Sequence, residues 1–171
     1  KIINISSINK NSTIIEIGPG YGSLTEVIAS LNPKKIIAIE KDKNLILFLN
    51  KKFNGYKNIN IINDDILNFL LKKKIKEKTT VFGNLPYNIS TKVLASLIML
   101  NKWPPWYDAL IFMFQKEVAD RILSKTNSKE YGRISILTNF RLETMESFKI
   151  SKDCFFPKPA VDSKIIVFKP I

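Results

Sequence analysis

Apolar positions along the chain fall into two alternating kinds of stretch. Short runs rich in isoleucine, valine and phenylalanine cover Thr13–Ile17, Lys35–Ile39, Asn60–Ile62, Thr80–Phe82 and Ala109–Phe114. Their near-continuous hydrophobicity predicts buried strands. Between them, apolar residues recur at helical spacing over Ser23–Leu31, Lys43–Phe53, Ile66–Leu71, Thr91–Leu100 and Lys116–Ser124. Strand-helix alternation implies an α/β fold, with a mainly parallel sheet and helices on both faces. The pattern changes after Gly132. Arg133–Phe140 fits helix or strand, while Met145–Ile150 and Lys164–Phe168 read as two further strands joined through Phe155-Phe156-Pro157-Lys158-Pro159. The expected sheet therefore has seven strands and ends in an antiparallel hairpin. No repeat or Gly/Ser linker interrupts the chain, and its 171 residues suit one domain, residues 1–171.

Composition narrows the chemistry. There is no histidine, which excludes histidine acid/base catalysis, histidine metal ligation and every Ser-His or Cys-His dyad. The single cysteine, Cys154, can form no intrachain disulfide and fits a reducing compartment, here the cytoplasm or an organelle if the source is a eukaryote. No apolar run reaches the ~18–20 residues of a membrane span, and no metal or membrane is expected as a partner. The net charge of +12 favours a polyanionic partner such as nucleic acid. Lysine (24), isoleucine (27) and asparagine (16) all have A/T-rich codons, so base composition is a competing source of that charge. The run Lys72–Lys78 is read first as a solvated helix end, with an RNA contact second.

The first strand runs into Gly18-Pro19-Gly20-Tyr21-Gly22 and then a helix, the unit at which nucleotide-like ligands sit on α/β sheets. The spacing is G-x-G-x-G rather than the dinucleotide G-x-G-x-x-G. Pro19 removes one backbone N–H, and Glu16 places a carboxylate two residues before Gly18. Both features are poor for a pyrophosphate, which wants N–H donors and no nearby anion, and disfavour an NAD-dependent dehydrogenase. Both suit S-adenosylmethionine, which carries an ammonium and a sulfonium. A plain glycine turn closing a βα unit is the bland alternative. Glu40 ends the next strand, 22 residues after Gly18, near the ~20-residue offset of an acid that holds ribose hydroxyls. Asp64 and Asp65 end the third strand. One can accept from an adenine amine while the other caps the following helix; Asp65, ahead of Ile66, is assigned to adenine, with Asp64 the runner-up.

The fourth strand leads into Gly83-Asn84-Leu85-Pro86-Tyr87. Pro86 biases Leu85 toward extended geometry, which directs its carbonyl. Asn84 adds a side-chain carbonyl. Two acceptors at one place suit an aromatic amine whose lone pair must be turned out of conjugation toward a methyl donor. Tyr87 offers a flat surface for an extruded base.

These segments are similar to the KsgA family, the small-subunit ribosomal RNA adenine N6-dimethyltransferases. The resemblance rests on Glu16–Thr25, Asn84–Thr91, Gln115-Lys116-Glu117-Val118, Tyr131-Gly132-Arg133 and Phe155–Ser163, in family order over nearly the whole chain. It implies a class I, Rossmann-like methyltransferase fold with S-adenosylmethionine as donor. It also implies two adjacent adenosines in the 3′-terminal hairpin of small-subunit rRNA, carried on an immature 30S particle, as substrate. Cofactor contacts are implied at Gly18, Glu40, Asp65 and Asn84, alongside Glu16, Gly20, Gly22 and Ile66 of the same loops. The target adenine is expected between Tyr87 and Phe155, with Asn84, Leu85 and Pro86 completing the catalytic segment. A monomer is expected. Family members carry an upstream Gln-Asn-Phe-Leu-type segment and a C-terminal helical domain, neither present in these 171 residues, so a catalytic core is expected. Arg133 is read as an RNA contact or a structural ion pair, Glu117–Arg121 as scaffold, and Trp103-Pro104-Pro105-Trp106 as a packing cluster. Two alternatives share the fold: an Erm-type large-subunit rRNA methyltransferase, against which Leu85 and Val161-Asp162-Ser163 argue, and a nucleic-acid-binding factor like mitochondrial transcription factor B. Intact Glu40, Asp65 and Asn84–Tyr87 argue against the second.

Overall fold

The computed structural model describes residues 8–72, 75, 77–155 and 158–171. Seven strands form one sheet in the order β3-β2-β1-β4-β5-β7-β6. The chain divides into two compact units: residues up to Asn84 with Trp106–Asp108, and Leu85–Pro105 with Ala109–Ile171.

The first unit holds β1 (Thr13–Ile17), α1 (Ser23–Ser30), β2 (Lys35–Glu40), α2 (Lys43–Lys52), β3 (Ile59–Asn63), α3 (Ile66–Lys72) and β4 (Thr79–Asn84). Its four strands are parallel, in register Ile15↔Ile37, Ile15↔Val81 and Ala38↔Ile61. All five residues of β1 are buried, so both alternating sets of its side chains are covered. This is why its sequence reads as an unbroken apolar run. β3 corrects the expectation of a buried strand over Asn60–Ile62. It is an edge strand and none of its five residues is buried, because one side has no neighbour. Asp42 starts α2 by accepting from the N–H groups of Asn44 (2.7 Å) and Leu45 (3.4 Å), satisfying two otherwise unpaired helix donors. Lys51 and Lys52 sit in the last turn, where the helix dipole favours cations.

The second unit holds α4 (Tyr87–Ile98), most of β5 (Tyr107–Gln115), α5 (Lys116–Ile122), α6 (Arg133–Arg141), β6 (Leu142–Ile150) and β7 (Ser163–Pro170). The ambiguous Arg133–Phe140 segment is helical. β7 runs antiparallel to both β5 and β6, in register Phe112↔Ile166 and Phe148↔Ile165, which forms the expected closing hairpin. The β6 register shifts between Thr144 and Glu146, leaving Met145 as an extra residue. α4 begins four residues before the predicted Thr91. Pro86 stands at its N-cap, and the Pro86 carbonyl accepts from the N–H groups of Ile89 and Ser90. The tryptophan segment is a packing cluster: the Trp103 indole N–H donates to the Ile171 carbonyl (2.8 Å), and the Arg141 guanidinium lies 4.7 Å over the Trp103 ring.

Candidate active site

Because β1 to β4 are parallel, their C-terminal ends share one edge. The residues following those ends are Gly18, Lys41, Asp64 and Leu85. The cofactor-assigned residues of the first unit all lie at or near this edge.

The loop after β1 holds Gly18, Gly20 and Gly22 at φ 67°, 58° and 76°, in the left-handed region that side-chain-bearing residues avoid. A Cβ on Gly22 would also stand 2.6 Å from Cε2 of Phe53, whereas one on Gly20 would meet nothing within 4 Å. Gly22 therefore permits close approach to α2, and Gly20 leaves space beside the loop. The Gly18 N–H donates to the Ile39 carbonyl (2.9 Å), tying the loop to the end of β2.

Glu40 is nearly buried, and its carboxylate is fixed by three backbone donors. Oε1 accepts from the N–H groups of Lys41 (2.7 Å) and Asp42 (2.9 Å), and Oε2 from that of Gly20 (3.3 Å). The acid at the expected offset is thus physically tied to the glycine loop. Asn63 braces the same turn, its side-chain amide donating to the carbonyls of Glu40 and Lys41 at 3.0 Å each. Sequence reasoning missed Asn63, because nothing in a lone asparagine at a strand end shows which carbonyls it will meet.

Asp65, at the N-terminus of α3, takes the capping role that the sequence reading left to the other aspartate. Its Oδ1 accepts from the Leu67 N–H (2.9 Å), and its Oδ2 pairs with Lys41 Nζ at 3.0 Å. The Lys41 ammonium, then the Leu67 N–H, hold the Asp65 carboxyl below the usual range. Asp64 is engaged as well: its N–H donates to the Glu40 carbonyl (3.0 Å) and its Oδ1 accepts from the Asp65 N–H (2.8 Å). Each carboxylate oxygen has two lone pairs, so Asp65 retains acceptor capacity despite cap and ion pair. Ile66 beside it is buried.

Glu16 is the unusual member. It is 2% exposed, and its Oε2 has no hydrogen-bond partner among the described residues. Burial pushes its carboxyl up to about 7, with the adjacent Thr25 hydroxyl and N–H pulling the other way. Asn84 ends β4 as an exposed residue, one position beyond the Ile17↔Gly83 pair.

Within the second unit, Leu85 is buried and Pro86 exposed. Tyr87 is the first residue of α4, and the expectation for its ring lies outside the described side chains. Phe155 is half-buried just past the 3₁₀ turn Lys152–Cys154, whereas Phe156 and Pro157 lie outside the described residues, as do Lys73, Lys74 and Lys76 of the lysine run. Several motifs prove to be scaffold. Asp162 pairs with Lys149 (2.8 Å) and accepts from the Lys152 N–H (2.9 Å), and its carbonyl accepts from the Lys116 N–H (2.9 Å). Glu117 and Arg121 form an ion pair at 3.2 Å. Ser135 accepts from the Gly132 N–H and donates to the Arg121 carbonyl, which fixes the start of α6. Arg133 is exposed and makes no ion pair among the described residues. Gln115, Lys116, Glu117 and Asp162 line a cavity of about 690 Å³ that sequence reasoning did not foresee. Among the described residues no cluster of cysteine and carboxylates could hold a metal ion, and no helix is long and apolar enough to cross a membrane.

The protein-family model for ribosomal RNA adenine dimethylase matches residues 1–171. The chain is 45% identical over 170 residues to ribosomal RNA small subunit methyltransferase A of Pelagibacter ubique, covering 99% of this chain and 64% of that protein. It is 38% identical over 163 residues to the protein of the same name from Nitrobacter winogradskyi, covering 94% and 57%. It thus spans about three fifths of the length of these curated relatives. Among solved structures, it is similar to a dimethyladenosine transferase from Plasmodium falciparum, with TM-score 0.84, 29% identity, and 99% and 60% of the two chains covered. It is also similar to the 23S rRNA methyltransferase ErmE, with TM-score 0.79, 25% identity, and 99% and 66% covered. With the glycine loop, the tethered Glu40 and the β4 terminus in place, and with the match running end to end, the chain belongs to the ribosomal RNA adenine dimethylase family.

Proposed function

We propose that this chain binds S-adenosylmethionine and transfers methyl groups to N6 of two adjacent adenosines in the 3′-terminal hairpin of small-subunit rRNA. The observation that carries the reading is Glu40. Its carboxylate is held by three N–H groups, one of them in the glycine loop, with both oxygens oriented before any ligand arrives. Such an acid can accept from two ribose hydroxyls. The donor set also fits a cationic nucleoside: a buried carboxylate with a free oxygen at Glu16, open space beside Gly20, and Asp65 at the start of α3.

In this reading the cofactor supplies an electrophilic methyl on sulfur. Asn84 and the Leu85 carbonyl accept from the adenine amine and turn its lone pair toward that methyl, with Tyr87 and Phe155 as the surfaces that hold the base. The methylated amine, cationic and therefore acidic, would lose its proton to water. No histidine or metal is needed, and orientation carries most of the rate. Arg133, exposed and unpaired among the described residues, is proposed as a phosphate contact. A monomer acting in the cytoplasm is proposed.

The small-subunit substrate follows from the relatives' printed names, and the large-subunit alternative from the likeness to ErmE. Methyl transfer from labelled S-adenosylmethionine to immature 30S particles and to 50S precursors separates them. The expected result is incorporation into 30S alone, mapped by reverse-transcription arrest to two adjacent adenosines. Incorporation into 50S alone would establish the Erm-type reading. RNA binding without transfer to either would favour a binding factor.

A further inference from the structure

We propose that the outer face of α2 and the glycine loop form a second RNA-binding surface. On it an unpaired stretch of the substrate RNA lays a base against the Tyr21–Phe48 ring pair and its phosphates against Lys43, Lys51 and Lys57. The inference rests on the RNA-substrate reading above and adds a contact surface made of residues other than those assigned to the target adenosine.

Tyr21 stands between Gly20 and Gly22 and is 69% exposed, and Phe48 on α2 is 43% exposed. Their rings meet edge to face, with centroids 5.4 Å apart and planes at 84°. Lys52 holds the pair in place: its Nζ donates to the Tyr21 carbonyl (3.2 Å) and pairs with Glu26 (2.9 Å), which ties the loop to the end of α2 and to α1. An edge-to-face pair covers only one ring face, so a flat surface remains on which any base can stack. Just past the helix, Tyr56 packs edge-on against Phe53 at 5.7 Å and is exposed as well.

The charge around the rings is of one sign. From Lys43 to Asn63 the chain has four lysines and no acid. Lys43, Lys51 and Lys57 are exposed and make no ion pair among the described residues. The helix dipole accounts for Lys51 in the last turn. It does not account for Lys43, which sits in the first turn where a cation is disfavoured, or for Lys57, which lies outside the helix. Lys43 and Lys51 fall on one stripe of α2, about 12 Å apart along its axis, with the exposed Leu47 between them. The nearest acids in sequence and space, Asp42 and Glu26, are spent on the α2 cap and on Lys52. An apolar protein segment would cover the rings and leave three ammonium groups unmatched. A duplex would meet the lysines and offer no base face. Unpaired RNA satisfies both.

The test is filter binding of immature 30S particles across a salt series. Phe48→Leu keeps apolar bulk and loses the ring; it should weaken binding about tenfold, and Phe48→Tyr should restore it. Lys43→Gln, Lys51→Gln and Lys57→Gln combined should lower the slope of log affinity against log salt by about 2 to 3, at roughly 0.7–0.9 per phosphate contact. Thermal unfolding at the wild-type midpoint shows that each variant keeps its fold. As a readout that needs no loss of binding, Phe48→p-benzoylphenylalanine should photocrosslink to an unpaired rRNA segment. Wild-type affinity and slope in both the Phe48→Leu and the combined lysine protein would overturn the inference; if the wild-type chain methylates those 30S particles, the functional reading stands without it. Loss in the lysine protein alone would overturn the stacking role of the rings. A crosslink to a ribosomal protein or to a second copy of the chain would overturn the choice of RNA. Loss of RNA binding by the variants of a chain that methylates neither particle would support the surface and overturn the functional reading.

Discussion

Replacing Glu16 by glutamine should make the protein more stable at high pH than at low pH, relative to wild type. In the folded chain burial lifts the Glu16 carboxyl from 4.5 to about 7. The folded state thus binds a proton between those values that the unfolded state has released. Stability contributed by the neutral acid is complete below pH 4.5 and is lost as pH rises toward and through 7. At 1.36 kcal/mol per pKa unit, the full loss is about 3 kcal/mol, most of which falls between pH 5 and pH 8. Glutamine has the shape of the neutral acid and does not titrate. The difference in unfolding free energy between the variant and wild type should therefore shift in the variant's favour by about 2 to 3 kcal/mol from pH 5 to pH 8. Any constant cost of burying an amide cancels in this comparison, as do the other titrating groups. Urea unfolding of both proteins across that range, with matched m-values, measures it. A difference independent of pH would mean that water reaches the Glu16 carboxylate in the folded chain, which would refute the dry site beneath the glycine loop.

Three further outcomes follow from the site. Glu40→Ala should weaken S-adenosylhomocysteine binding by roughly 1.5–3 kcal/mol in calorimetry, the worth of hydrogen bonds to a charged group; unchanged affinity would remove Glu40 from the ribose role. Gly22→Ala should destabilise by about 3 kcal/mol, combining left-handed strain with a clash against Phe53, while Gly20→Ala should cost about 1 kcal/mol because its surroundings are open; equal costs in thermal unfolding would show that space is irrelevant there. Asn84→Ala should lower single-turnover methyl transfer to 30S particles by at least ~10²-fold at saturating cofactor, while Tyr87→Phe, which keeps a stacking ring, should be nearly silent.

What the sequence shows plainly is whatever repeats along the chain. The buried parallel strands announce themselves because both faces of each demand apolar side chains, and β1 is predicted to the residue. The closing antiparallel pair of the seven-stranded sheet follows from the change of pattern after Gly132, whereas the strand order β3-β2-β1-β4-β5-β7-β6 is seen only in the structure. The helix over Arg133–Arg141 remained ambiguous because Ile136 and Phe140, which share one face, are both exposed. The start of α4 was hidden because Pro86 disfavours helix in the residue before it but pre-sets one after it. Site residues that depend on a fixed offset, such as Glu40, were legible. Those that depend on strand register were not: Asn63 meets the Glu40 and Lys41 carbonyls because β3 pairs with β2 at Glu40↔Asn63, a match that no local pattern encodes.

The two glutamates of this strand edge show how one residue type takes two roles. Glu40 sits where the chain turns after β2, and the turn aims two consecutive N–H groups at it while the glycine loop supplies a third. Its charge is matched by dipoles that belong to the fold, so its oxygens are in position before a ligand arrives. Glu16 sits two residues inside its strand, where the backbone N–H groups belong to the sheet and few remain for a side chain. A carboxylate there has the Thr25 hydroxyl and N–H beside it but no cation among the causes that act on it. Preorganised acceptors suit a neutral hydroxyl, which brings no charge of its own. An unmatched buried acid suits a cation, since the cost of ionising it is recovered only when that cation is present. The selectivity against pyrophosphate expected from Glu16 and Pro19 thus has a physical source: an anion would find a buried acid that it drives further toward its neutral form, and one N–H fewer to bind.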